Sequence, residues 1–367
     1  VDLLVKNILL TGTTEEVGVE LQKSYDRMLD STKKWLEILQ FEPAPQTGLS
    51  PKDVVWKKNK ARLYRYISTA GYQHKIPVLM VYALINKPYI LDLIPGMSLV
   101  EHLLDHGYDV FLLDWGDFGW EDRNLSIGDL VSDYIARAAQ KTAQIANSSE
   151  ITILGYCMGG TMTSMYTALF SRPTIKNLIF LSAPMSFENC GVQSAWLQAP
   201  GYDADRIVDT LQLIPRDFID YGVKMLRPVT NYWGTYTRLW KSIDEDASLT
   251  AWKALNKWVN DNINFPGEAY RQWIKDLYQT NKLVQNEFYI RGQSVDLSKI
   301  EANLLVMAGQ KDHLVLPGQA SAILDYVSSP DKAFYDLPVG HGGLVFGNYA
   351  RQHSYPIISG WLDKRSD

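Results

Sequence analysis

The chain has 367 residues, more than twice the roughly 150 of a typical domain, so either two domains or one elaborated domain is expected. Its 46% hydrophobic and 21% charged residues describe a folded globular protein, and a net charge of −5 without any Lys/Arg run excludes nucleic-acid binding driven by bulk positive charge. Two cysteines, Cys157 and Cys190, exclude a disulfide framework and a four-thiolate zinc site, while 11 Trp and 21 Tyr suit a large apolar cavity, an interface or a Trp-rich core.

Residues 1 to about 41 read as helical. Thr13 and Glu16 have capping-box spacing, and Leu21, Tyr25, Met28, Leu29, Leu36 and Leu39 follow at helical intervals. Glu42 to Gly48 breaks the pattern as a linker, and Val54–Trp56 with Leu63–Ile67 flank a lysine-rich turn as a hairpin. Short apolar runs then recur at Ile76–Tyr82, Asp109–Trp115, Ile151–Leu154, Leu178–Ser182, Asn303–Ala308 and Ala333–Leu337. Segments of helical period, such as Ser98–His106 and Leu125–Asn147, lie between most of them. Continuous apolar runs imply strands buried on both faces, hence a largely parallel sheet flanked by helices. The stretch 184–295 interrupts this rhythm, reads as mainly helical and holds six of the 11 Trp: 196, 233, 240, 252, 258 and 273. The expected organisation is an N-terminal helical region (1–48), an α/β core (49–183 and 296–367) and an inserted cap (184–295).

No apolar run approaches the ~20 residues needed to cross a bilayer. The start, Val1-Asp2-Leu3, has an acidic residue where a signal peptide needs basic ones, so a cytoplasmic protein is expected. The first residue is not Met, and a few residues are expected to precede it.

The run Ile151 to Gly160 is the most informative for function. A buried strand ends in Gly155-Tyr156-Cys157-Met158-Gly159, and helical spacing follows. This is the nucleophile-elbow pattern of the α/β-hydrolase fold with Cys in place of Ser. The turn is so sharp that a Cβ at Gly155 or Gly159 would collide with backbone, and the thiol sits at a helix N-terminus, which favours thiolate. Cys190 has no such setting and reads as structural. An elbow nucleophile needs an acid and then a His in loops after late strands. Asp312 follows the strand at Asn303–Ala308, and His341 follows Ala333–Leu337 in a loop rich in glycine. His313, beside Asp312, is the competitor for the base. His74 lies on the wrong edge, His353 lies in the last helical region, and His102 and His106 read as ordinary surface residues rather than metal ligands. No metal site is expected. The N–H of Met158 should form half of an oxyanion hole. The other half should come from the loop Ala83–Lys87, with Ile85 preferred over Leu84.

A thiol nucleophile suits acyl transfer from a thioester, because exchange between thioesters is nearly isoenergetic and keeps the acyl group activated. Gly155–Gly160, Leu84–Leu93, Phe265–Trp273 and Asp312-His313 together resemble polyhydroxyalkanoate synthases, from about Leu49 to the C-terminus. The short chain resembles classes III and IV, and Tyr156 and Met158 lean towards class IV. The resemblance implies polymerisation of (R)-3-hydroxyacyl-CoA with release of CoA, and the triad Cys157, Asp312 and His341. His341 would activate Cys157, and Asp312 would assist the attacking hydroxyl. Tyr89 and His313 are expected to contact substrate. The resemblance further implies a homodimer, a smaller non-catalytic subunit (PhaR-type, or PhaE-type in class III) and residence on polymer granules. No cofactor is expected, since the CoA thioester is a substrate. The alternative is a dienelactone-hydrolase-like cysteine hydrolase, whose elbow is nearly identical but whose chain is shorter and lacks the Trp-rich insert.

Overall fold

The computed structural model describes residues 14–39, 45–69, 71–226 and 246–366. The apolar runs are strands of one eight-stranded sheet: β1 (Lys52–Lys58), β2 (Ala61–Tyr66), β3 (Val78–Val81), β4 (Val110–Asp114), β5 (Glu150–Tyr156), β6 (Thr174–Leu181), β7 (Asn303–Gly309) and β8 (Lys332–Leu337). Their spatial order is β1-β2-β4-β3-β5-β6-β7-β8. Only β2 is reversed, pairing antiparallel with both β1 and β4. The pairs from β4 through β8 are all parallel. This is the mostly parallel sheet of the α/β-hydrolase fold, the fold class expected from the nucleophile elbow.

Burial explains why the central strands read as unbroken apolar runs. All four residues of β3 are buried, and so is every residue of β5 and β7 after the first. Strands covered on both faces cannot alternate polar and apolar side chains. The covering elements include α2 (Leu99–Asp105), α3 (Ala136–Ala146, entered through a π-helical turn at Leu130–Ile135) and α4 (Met158–Leu169). The turn between β5 and α4 depends on close approach. A Cβ on Gly155 would lie 2.4 Å from the Gly160 Cα, and one on Gly159 would lie 2.1 Å from the Val81 carbonyl oxygen. Side chains there are excluded by backbone, which cannot move aside.

The chain divides into two compact units, Gln46–Leu226 with Leu255–Asp367, and Val1–Pro45 with Arg227–Ala254. The first holds the whole sheet. In the second, α1 (Thr14–Leu39) is a single long helix whose Leu21, Tyr25, Met28 and Leu29 are exposed. Between β6 and β7 the described residues form mostly short helices: α5 (Val192–Leu197), α6 (Ala204–Leu211), α7 (Arg216–Met225), α8 (Asp246–Asn260) and α9 (Gly267–Gln272). Trp258 and Trp273 are buried there, while Trp196 is exposed. Thr13, Glu42 to Ala44, Trp233 and Trp240 lie outside the described residues.

The contact between Gly159 and β3 predicts a large penalty for the smallest possible change. Gly159→Ala should lower the urea midpoint by the equivalent of about 3 kcal/mol or more, the size reserved for backbone clashes in a core. An unchanged midpoint would contradict the packing described.

Candidate active site

The C-terminal ends of β3, β5, β7 and β8 lie on one edge of the sheet, and each is followed by at least one expected site residue. Cys157 follows β5 with φ 52° and ψ −126°, in the left-handed region that L-residues avoid. Its N–H donates to the Leu181 carbonyl at 2.9 Å, which ties the strained residue to β6. The residue as a whole is half-buried. Met158 starts α4, so its N–H lies in the first turn, where helix donors have no intrahelical acceptor.

Asp312 closes a tight turn after β7 and is 2% exposed. Its Oδ1 accepts the N–H groups of Leu314 and Val315 at 2.8 and 3.0 Å. Its Oδ2 accepts the Nδ1–H of His341 at 2.7 Å. The two loops are joined by the Lys311 N–H, which donates to the Val339 carbonyl at 2.9 Å. Burial alone would raise the Asp312 carboxyl, but the adjacent His341 and the two backbone donors hold it below the usual carboxylate range. Burial alone would lower His341, yet the charges of Asp312 and Cys157, and hydrogen bonds to both, push it up to about 10. Nδ1 of the imidazole therefore faces Asp312, and Cys157 is near enough to act on the ring. His341, rather than its competitor His313, occupies the place beside Asp312. His313 is half-buried in the same loop.

The loop after β3 is pinned. The Ile85 carbonyl accepts the Ile263 N–H at 2.9 Å, and the Lys87 N–H donates to the Asp261 carbonyl at 3.3 Å. This pairing with the segment after α8 fixes Leu84, which is buried, and Ile85, which is half-buried. Tyr89 lies just beyond, its hydroxyl donating to the Asp261 carboxylate at 2.9 Å. Aromatic side chains from the insert also reach this region. Phe187 packs edge-on against Trp273 and Tyr278, and burial raises the Tyr278 hydroxyl well above the usual tyrosine range, with smaller contributions from Cys190, Cys157 and Asp312.

His102 is not a surface residue, contrary to its helical spacing. It is half-buried, its Nε2 pairs with the Ser359 hydroxyl at 3.0 Å, and burial with the neighbouring His106 lowers its pKa to about 4. Its position one turn from the end of α2, facing the C-terminal helix Tyr355–Leu362, is a tertiary fact that periodicity does not reveal. Cys190 is buried, donates to the Phe187 carbonyl at 3.3 Å and accepts from Gln319 at 3.1 Å. Burial raises its thiol to about 11, the behaviour of an inert residue. A cavity of about 670 Å³ opens at the far end of α4 from Cys157, lined by Phe170, Asn286, Asp296 and Lys299, and contributes nothing to this site. Among the described residues no cluster of three or more His, Cys, Asp or Glu is arranged to hold a metal. No described helix is long and apolar enough to cross a membrane. The residues that sequence reasoning passed over are Tyr82 and Tyr156, which stack beside His341.

Known proteins share both the fold and the sequence around this site. A family model described as the alpha/beta hydrolase fold matches residues 76–347. A second, described as the poly-beta-hydroxybutyrate polymerase (PhaC) N-terminus, matches residues 17–103. The likeness therefore begins well before Leu49, where the sequence motifs alone had placed it. The chain is 37% identical over 321 residues to a poly(3-hydroxyalkanoate) polymerase subunit PhaC of Haloferax mediterranei, covering 87% of this chain and 65% of that protein. It is 35% identical to the PhaC subunit of Synechocystis sp., covering 95% of this chain and 94% of that protein. Among solved structures, a monoacylglycerol lipase of Paleococcus ferrophilus superposes with a TM-score of 0.52 at 16% identity, over 83% of this chain and 99% of that one, a likeness of fold alone.

The coupled pair predicts a pH dependence of stability. His341's folded value lies above the ordinary 6.5, so its contribution is complete below that and fades as pH rises through about 10. Asp312's folded value lies below 3.8, so its contribution is complete above that and fades as pH falls through the depressed value. Asp312→Asn should therefore cost most stability between about pH 4 and pH 6.5, with the difference from wild type narrowing towards about pH 10. Denaturant titrations across that range check it, and a difference that widened with rising pH would contradict the pairing.

Proposed function

The chain belongs to the PhaC family of poly(3-hydroxyalkanoate) polymerase subunits, and from that premise we propose that it polymerises (R)-3-hydroxyacyl-CoA, with 3-hydroxybutyryl-CoA the expected monomer, through a thioester on Cys157. The observation that carries this reading is the Asp312–His341 hydrogen bond on the same sheet edge as the Cys157 elbow, in a chain of this family. His341, its pKa raised by Asp312 and Cys157, holds the proton that the Cys157 thiol gives up, and the sulfur attacks the thioester carbonyl. The oxyanion so formed is met by the Met158 N–H and by an N–H of the 83–87 loop, for which Ile85 is the choice. Collapse breaks the carbon–sulfur bond to CoA, and the imidazolium returns the proton to the leaving thiolate. The 3-hydroxyl of a monomer or chain end then attacks the acyl thioester, forming a C–O bond and breaking the carbon–sulfur bond to Cys157, while the hydroxyl proton passes to His341 and on to the leaving sulfur.

Asp312 already accepts three hydrogen bonds, two from backbone and one from His341. A carboxylate has about four acceptor positions, so one is left over, but the side chain is closed to solvent and a substrate hydroxyl would reach it only after the site opens. The reading gives Asp312 a dual part, orienting the imidazole and, once the site is open, assisting the hydroxyl. Tyr89 and His313, near the same strand ends, are assigned to substrate contact. Residues 184–295 are read as a cap over the thiol that keeps water from the thioester. Residues 1–48, with their exposed apolar side chains on α1, are assigned to contact with a second protomer or a smaller PhaR- or PhaE-type subunit. Residence at the polymer granule surface in the cytoplasm completes the reading, and no separate cofactor enters it.

Cys157→Ala should abolish CoA release and acyl labelling, while Cys190→Ala should keep most activity; labelling that survived in the first variant would overturn the assignment. His341→Gln should block the first acylation. Asp312→Asn should still acylate but elongate about 10²–10⁴-fold more slowly, the usual worth of general-base help. Single-turnover assays separate the two. Equal loss of acylation in both variants would leave Asp312 only the orienting part.

A further inference from the structure

Tyr156 stands between the elbow glycine and the nucleophile, and the mechanism above does not use it. Its side chain is 1% exposed. The ring stacks on Tyr82 with centroids 5.1 Å apart and planes inclined by 4°. It also meets the His341 imidazole edge-on at 5.1 Å. The Tyr156 hydroxyl donates to the backbone carbonyl of His341 at 3.2 Å. Tyr82 in turn donates to the Asn86 side chain at 3.3 Å, and its carbonyl accepts the Trp115 indole N–H at 3.0 Å. One stack thus touches the loop after β3, the elbow and the loop that carries His341.

We propose that Tyr156 is a positioning residue for the base: its hydroxyl anchors the His341 main chain so that the imidazole lies on the line from Asp312 to the Cys157 thiol. The need for such an anchor follows from the local sequence. His341 sits in Gly340-His341-Gly342-Gly343, where three neighbours have no side chain with which to hold the backbone. Asp312 fixes one ring nitrogen but leaves the ring free to swing about that contact. A second fixed point on the main chain removes that freedom, and a rigid phenol braced by Tyr82 supplies it. Small displacements of a base are costly, since a misplacement of about 1 Å can lose on the order of 10²-fold in rate. A purely space-filling role would be met equally by phenylalanine, which keeps the stack and the edge contact. The hydroxyl is the part that a positioning role requires.

This inference rests on His341 acting as the base for Cys157, and the test separates the two. The full-length protein is treated with iodoacetamide across a pH range, alkylation of the Cys157 peptide is followed by mass spectrometry, and CoA release from (R)-3-hydroxybutyryl-CoA is measured in parallel. Tyr156→Phe should slow neutral-pH alkylation and lower kcat about tenfold, with KM within about twofold, the split expected when a base is misplaced and substrate binding is intact. Replacing Tyr156 with 4-aminophenylalanine, whose N–H can reach the same carbonyl, should restore most of both. Tyr166→Phe removes the hydroxyl of another buried tyrosine, on α4 and stacked on Phe170, and should change neither. If Tyr156→Phe keeps the wild-type alkylation profile and kcat while His341→Gln loses them, the proposal falls and the base assignment stands. If His341→Gln also alkylates normally, both fall. Should Tyr156→Phe fail to fold, the 4-aminophenylalanine protein decides: wild-type alkylation supports the anchor, and a tenfold loss overturns it.

Discussion

The close approach of α4 to β3 sets the geometry on which the site depends. Gly159 touches the Val81 carbonyl so closely that no Cβ fits between them. That contact forces the chain to reverse within one residue, and Cys157 absorbs the reversal at a positive φ. The energy stored there is held by the surrounding sheet, since β5 pairs with β3 on one side and β6 on the other. The sulfur is consequently lifted off the sheet edge at the start of a helix. The start of the loop leaving β3, at Tyr82, lies against the first turn of α4. A looser turn would drop the thiol back into the core and separate it from both.

The acid and base arrive from the other half of the sheet by an independent route. β7 and β8 run parallel and in register to Gly309 and Leu337, so the loops that follow start side by side. A main-chain bond from Lys311 to Val339 joins those loops before either side chain is considered. The Asp312–His341 contact is thus prepared by backbone, and the buried carboxylate is compensated by three donors. An uncompensated charge at 2% exposure would be expensive, so the donors are as necessary as the imidazole.

Much of this was legible in the sequence because burial on both faces leaves a plain signature. The strands, the antiparallel hairpin at Lys52–Tyr66 and the loops of Cys157, Asp312 and His341 all follow from apolar runs and their punctuation. What was hidden shares one property: it depends on partners far away in the chain. His102 is half-buried because Ser359 and Tyr355 of the C-terminal helix lie against it, and the contacts of Tyr156 are not visible until Tyr82 and His341 are brought beside it. The pinning of the 83–87 loop by residues 261–263 is equally invisible to periodicity, since it joins a core loop to the insert through main-chain bonds. The family likeness upstream of Leu49 escaped motif reading because α1 carries no chemistry-bearing residues at diagnostic spacing.

The proposed chemistry stands or falls on the covalent intermediate. The direct measurement is mass spectrometry of the intact wild-type chain, quenched in acid within the first turnovers with (R)-3-hydroxybutyryl-CoA and then mapped by peptide. Hydroxyacyl units, singly and in short series, should appear on the peptide carrying Cys157 and nowhere else. Turnover with no adduct on that peptide, or adducts on the Cys190 peptide instead, would contradict it.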